Sequence, residues 1–111
     1  MGGAVVGITP FLKVMVEHEA SDLYFSAGAP VGIKIEGVTK PLGDKPLPDG
    51  GVKALAYGLM SETQIERFEQ EWEMDMAFTD PAIGRFRVNV FRQRGEVAMV
   101  LRYIRERIPT I

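Results

Sequence analysis

With 111 residues, 46% of them hydrophobic and 25% charged, the chain has the balance of a single soluble domain built on one core. It contains no cysteine and one histidine, His18, and its carboxylates follow no calcium-loop spacing, which excludes disulfides and cysteine nucleophiles and predicts no metal site and no catalytic residue. The net charge is −2, no apolar run approaches the roughly 20 residues that span a bilayer, and Met1 to Ile8 lacks the basic and long apolar regions of a signal peptide, so a cytoplasmic protein is expected.

Residues 1–8 begin with the small, aperiodic run MGGAVVG and are expected to form a disordered lead or a cloning remnant. Thr9 can cap a helix whose first position is Pro10, where a missing N–H does no harm. Leu12, Met15, Val16 and Glu19 then recur at helical spacing, which predicts a helix over about residues 10 to 19. Asp22 to Ala27 and Val31 to Glu36 are short runs split by Gly28-Ala29-Pro30, and Ile33 and Ile35 alternate with Lys34 and Glu36 as a strand requires. Gly37 turns the chain into a third short strand, Val38 to Leu42, which ends in the loop GDKPLPDGG. Asp49 can cap a second helix whose apolar stripe is Val52, Leu55, Ala56, Leu59 and Met60.

Ser61 with Gln64 three residues later is a capping box, and Ile65, Phe68 and Trp72 follow at steps of three and four, predicting a third helix over about 62 to 71. From Trp72 to Phe78 acids alternate with Met74 and Met76, so a strand follows directly, and the loop TDPAIG leads into a last pair of strands. This order gives one antiparallel sheet of about six strands with about three helices, mainly on one face: an α+β, PAS-like domain over residues 9–105. The expected core is Leu12, Met15, Val16, Leu23, Phe25, Ile33, Ile35, Leu55, Leu59, Ile65, Phe68, Phe78, Phe86, Val88, Val90, Met99, Leu101 and Tyr103.

Charge is divided along the chain. Seven acids between Glu62 and Asp80 meet only Arg67, whereas residues 85–111 hold seven of the eight arginines against Glu96 and Glu106. The acidic run reads as a solvated helix face or a contact with a neighbouring copy, the basic one as a surface for an anion. Within GRFRVNVFRQRGEVAMVLRYIR, Gly95 supplies the positive φ of a tight turn, and a two-residue turn at Arg94-Gly95 sets Gln93 opposite Glu96. That register pairs Val90 with Met99, Val88 with Leu101 and Phe86 with Tyr103 on one apolar face. On the other it sets Arg87 directly across from Arg102, with Arg85 two residues away. Like charges directly opposite are destabilising, so a compensating anion is expected, either a carboxylate of the chain or a phosphate gripped by the two guanidinium forks. Arg92 and Arg94, on the other face near the turn, read as solvated.

ASDLYFSAG (Ala20 to Gly28), IGRFRVNVFRQRG (Ile83 to Gly95) and VLRYIRERIPTI (Val100 to Ile111) together resemble the N-terminal domain of type IV pilus retraction ATPases of the PilT/PilU kind, within the wider secretion-ATPase superfamily. The resemblance covers residues of about 8 to 111, and EMDMAF and MVLR lean toward the PilU type. It implies a following ATPase domain that carries the P-loop, the acidic metal-holding motifs and the catalytic glutamate. None is present in these 111 residues, which contain no G-x-x-x-x-G-K-S/T, and residues 106–111 are then the start of a linker to that absent domain. It also implies ATP and Mg in the full-length family but no cofactor in this chain, a homo-hexamer, and a partner in the ATPase domain of the same or a neighbouring subunit. The motor would work in the cytoplasm at the inner-membrane pilus machinery. At the matching positions Arg87 and Arg102 are implied to contact nucleotide phosphates, with Arg85 as a third.

From this follow the expectations that the chain alone is not an enzyme, that Arg87 and Arg102 are exposed and largely unpaired, and that replacing either leaves the melting temperature nearly unchanged. His18 reads as a partner of the first helix's C-terminal dipole, Ser21-Asp22 as a turn or the start of a strand, and the methionines as core filler. Two other functional classes stand beside the motor domain. A PAS-like small-ligand sensor would need a sizeable apolar cavity. A nucleic-acid-binding module would use the basic hairpin, against which the acidic total charge and the lack of aromatics interleaved with the arginines argue.

Overall fold

Two three-stranded meanders meet edge to edge in the structure, a computed structural model that describes residues 7–105. Helix α1 (Thr9–Glu17) precedes β1 (Asp22–Phe25), β2 (Gly32–Ile35) and β3 (Val38–Pro41). Helices α2 (Gly51–Tyr57) and α3 (Glu62–Glu71) then carry the chain to the far edge, where β4 (Glu73–Asp80), β5 (Gly84–Gln93) and β6 (Glu96–Ile104) return to the middle. The sheet order is β3-β2-β1-β6-β5-β4 and every neighbouring pair is antiparallel. Six strands and three helices make the expected α+β architecture. The pairing of β1 with β6 joins the two halves of the chain and sets Asp22 opposite Arg102.

One face of the sheet is dry. Leu23, Phe25, Ile33, Phe86, Val88, Val90, Met99 and Leu101 alternate along their strands and form one buried cluster with Leu12 and Met15 of α1, Val52 and Ala56 of α2 and Phe68 of α3. Val16, Ile35, Leu55, Leu59, Ile65, Phe78 and Tyr103, expected in the core, are only partly buried against it. Ile8, Ala20, Val31, Met60, Met74 and Val97 join it instead. The opposite face carries the polar members of the alternation.

The helix ends depart from expectation where packing outweighs side-chain capping. Ile8, assigned to the lead, is buried and is itself the cap residue of α1, its carbonyl accepting from the N–H groups of Phe11 and Leu12. Thr9 is the first helical residue and caps nothing. Residues 1–6 and 106–111, where the rest of the lead and the linker are expected, lie outside the described residues. Helix α1 ends at Glu17, with Glu19 in the left-handed region at φ 53°, and His18 Nδ1–H donates back to the Val14 carbonyl at 3.0 Å. Gly50 rather than Asp49 caps α2, and that helix stops at Tyr57, leaving Leu59 and Met60 in tighter turns. The Ser61–Gln64 capping box of α3 is formed on both sides, at 2.9 and 3.2 Å.

Helices α2 and α3 are tied together at their outer edge, where the Tyr57 hydroxyl donates to Glu69 Oε2 at 2.8 Å. Desolvation by burial, then that hydrogen bond and the charge of Glu69, push the phenol up from 10.0 to about 12. A raised value means that the native state keeps a proton which the unfolded chain gives up near 10, so this contribution to stability is complete below pH 10 and disappears as the pH rises to about 12. In a spectrophotometric titration Tyr57→Phe should lack the phenolate step near pH 12, and its stability should fall less across that window. Loss of a step near pH 10 instead would show that Tyr57 ionises like a free phenol.

Candidate functional site

The β5–β6 hairpin has the expected register throughout: Gln93 faces Glu96, Val88 faces Leu101, Phe86 faces Tyr103 and Arg87 faces Arg102. Its turn residues Arg94 and Gly95 have φ of 54° and 80°. Both are therefore left-handed, the mirror-image turn whose twist suits two right-twisted strands, and Arg94 shares a conformation that the sequence suggests only for Gly95. At the other end of β5, Gly84 leaves room for the Tyr103 ring, which would lie 3.0 Å from any Cβ placed there.

On the face turned away from the helices, strand pairing lines up a row of side chains across the whole sheet: Thr39, Lys34, Asp22, Arg102, Arg87 and Ala77, one from each strand. Three cations and one carboxylate thus stand side by side on neighbouring strands about 5 Å apart. Asp22 is only 4% exposed. Arg102 Nε–H donates to its Oδ1 at 3.1 Å, and the Ser21 hydroxyl donates to its Oδ2 at 2.8 Å. The Arg102 side chain itself remains 69% exposed. Arg87 is exposed and has no hydrogen-bond or ion-pair partner among the described residues. Arg85, also exposed, lies on the same face and with Arg87, Asp75, Ala77 and Ile104 lines a shallow groove of about 330 Å³.

Three expectations give way to this geometry. Arg102 is not unpaired, because β1 lies against β6 and brings Asp22 under its guanidinium. Asp22 does more than start a strand, since it is the carboxylate that relieves the repulsion between Arg87 and Arg102. Arg92 is stacked over Trp72, 4.6 Å from the ring centroid, rather than merely solvated, and Trp72 closes α3 in the left-handed region at φ 57°. The pair of arginines on one exposed face survives these corrections. Two planar donors on a rigid sheet, one tethered and one free, can grip an anion with several oxygens.

Elsewhere among the described residues the surface has an apolar groove. It measures about 670 Å³ and runs between Ile8 and Phe11, Leu47, Leu55 and Leu59, and Phe78 of β4. Among the described residues no three His, Asp or Glu side chains converge as a metal site, and no helix is long and apolar enough to cross a membrane.

No family model matches the sequence. Among characterised proteins, the chain is 40% identical over 100 residues to the type IV pilus ATPase PilU of Pseudomonas aeruginosa and 36% identical over 104 residues to the pilus retraction ATPase PilT of the same organism. These alignments cover 90% and 94% of the chain but only 26% and 30% of the two relatives. Among solved structures, the pilus retraction motor PilT with bound ADP superimposes with a TM-score of 0.85 at 39% identity, over 93% of this chain and 30% of that one. The ATPase DotB of Legionella pneumophila matches with a TM-score of 0.69 at 21% identity, over 90% of this chain and 30% of its own, which shows a shared fold. The three sequence blocks, the strand order and the hairpin register thus converge, and the chain is homologous to the N-terminal fragment of the type IV pilus ATPases PilT and PilU.

Proposed function

We propose that the chain is the N-terminal domain, residues 9–105, of a hexameric motor ATPase for type IV pili, working in the cytoplasm at the inner-membrane pilus machinery, with residues 106–111 opening the linker to the ATPase domain. Its role is to present Arg87 and Arg102, with Arg85 beside them, to the phosphates of nucleotide bound on the ATPase domain of the same or a neighbouring subunit. The observation that carries this is the cross-strand arginine pair, exposed on the face away from the helices, in a segment that aligns with PilU and PilT. ATP and Mg belong to the other domain. What this chain's residues supply is a charge-assisted grip on phosphate oxygens, and the guanidinium forks fit that group.

The chain has no phosphate cradle, so it should turn over no ATP by itself. Joined to the remaining part of PilU it should restore an ATPase, and Arg87→Ala in that protein should depress turnover. Hydrolysis by the 111-residue chain above a buffer blank, or a joined protein indifferent to Arg87, would defeat this reading.

A second reading, a small-ligand sensor, is favoured by the apolar groove near Phe11 and Leu55. It requires that aliphatic ligands raise the melting temperature of the chain. No shift with a panel of fatty acids and small aromatics would remove it.

A further inference from the structure

Asp22 is the one charged side chain among the buried residues described. Resting on the phosphate reading above, we infer that Asp22 is a positioning residue which holds the Arg102 guanidinium ready for an anion. Its Oδ1 takes the Nε–H of Arg102 at 3.1 Å while its Oδ2 is held by the Ser21 hydroxyl at 2.8 Å, so both oxygens are engaged and the carboxylate is fixed. A guanidinium is a rigid plane, and fixing Nε restricts the direction of its two Nη groups. Among the described residues Nε is the Arg102 nitrogen that is engaged, which leaves the Nη edge to an incoming ligand. An arginine on a flexible stem must otherwise be ordered each time an anion binds, and here that ordering is done by folding. Lys34, Arg102 and Arg87 stand in the row against the one carboxylate of Asp22, so the row keeps a net positive charge.

The carboxylate has two effects of opposite sign on anion binding. As a bare counter-charge it weakens the attraction of the row, and as a tether it strengthens the grip of Arg102. The sign of the Asp22→Asn effect therefore separates them. The 111-residue chain would be titrated with inorganic tripolyphosphate and followed by NMR at the arginine Nε–H signals. The wild-type chain should bind, Arg87→Ala and Arg102→Ala should each bind more weakly, and Asp22→Asn should bind about three- to tenfold more weakly even though the row gains a unit of positive charge. The Asp22→Asn effect should vanish in an Arg102→Ala background, whereas a merely structural role would lower binding in both.

Failure of the wild-type chain to bind, or binding indifferent to both arginines, would overturn the phosphate reading. Binding that depends on both arginines and is unchanged or tighter in Asp22→Asn would leave that reading standing and overturn the role of Asp22. Should Asp22→Asn not fold, Ser21→Ala takes its place, because it frees Oδ2 and leaves the charge. About twofold weaker binding with a native spectrum supports the tether, and unchanged binding overturns it.

Discussion

Replacing Phe68 by Ala is expected to cost about 3 to 5 kcal/mol, a large share of the roughly 5 to 15 kcal/mol that holds a domain of this kind together. Phe68 is fully buried, and it is the one buried residue of α3. Its ring meets Tyr57 of α2 edge-on at 6.1 Å and Trp72, which closes α3, edge-on at 5.5 Å, so one side chain pins α2 against α3. The rest of α3 presents Glu62, Glu66 and Glu71 to solvent, and its Arg67–Glu71 pair, with both side chains more than 60% exposed, contributes a few tenths of a kcal/mol at most. Ile65, the other apolar residue of the helix, is only partly buried against the core and leaves most of the cavity unfilled. Trp72 is the only tryptophan, so denaturant unfolding read by its fluorescence and by circular dichroism tests the prediction directly. A loss below about 1 kcal/mol would mean that the site collapses around the smaller side chain and that α3 does not depend on its one fully buried residue.

The parts of this molecule that are legible in the sequence are those set by short-range rules. A two-residue turn leaves one register for the hairpin, and the alternation of Val88, Val90, Met99 and Leu101 permits no other, so Arg87 opposite Arg102 follows from local pattern alone. The capping box of α3 is likewise a local pattern with a local cause. What is not legible is long-range or depends on burial. The approach of β1 to β6 spans 80 residues of chain between Asp22 and Arg102, and a local signal of a buried carboxylate in Ser21-Asp22 is weak. In DLYF the apolar Leu23 and Phe25 face the core, which leaves Asp22 on the face that holds the arginines. The start of α1 is hidden for a related reason, since Ile8 joins the core and draws the helix one residue further back than Thr9 would place it as a cap. The stacking of Arg92 is hidden because Trp72 falls at the junction between the predicted helix and strand, and only its left-handed turn at the helix end carries it under the guanidinium.

The two arginines of the pair should separate when each is replaced by Ala, which the sequence alone does not suggest. If the arginines grip phosphate as proposed, either replacement in the protein joined to the remaining part of PilU loses a charge-assisted contact of about 1.5 to 3 kcal/mol, and ATP turnover should fall by roughly ten- to a hundredfold in both. Stability should respond differently. Arg87 has no partner among the described residues and faces a like charge, so Arg87→Ala should leave the melting temperature of the 111-residue chain unchanged or slightly raised. Arg102→Ala instead strips the Nε–H from a carboxylate that is 4% exposed. An unsatisfied buried acceptor costs about 1 to 3 kcal/mol; because the Arg102 side chain is 69% exposed, the pair is partly hydrated and the lower half of that range applies. The Ser21 hydroxyl stays on the stranded charge and keeps the loss from growing further. Thermal unfolding of the two variants side by side checks this. Equal melting temperatures would show that Asp22 does not depend on Arg102, and a large loss in Arg87→Ala would show that Arg87 has a structural partner on this face after all.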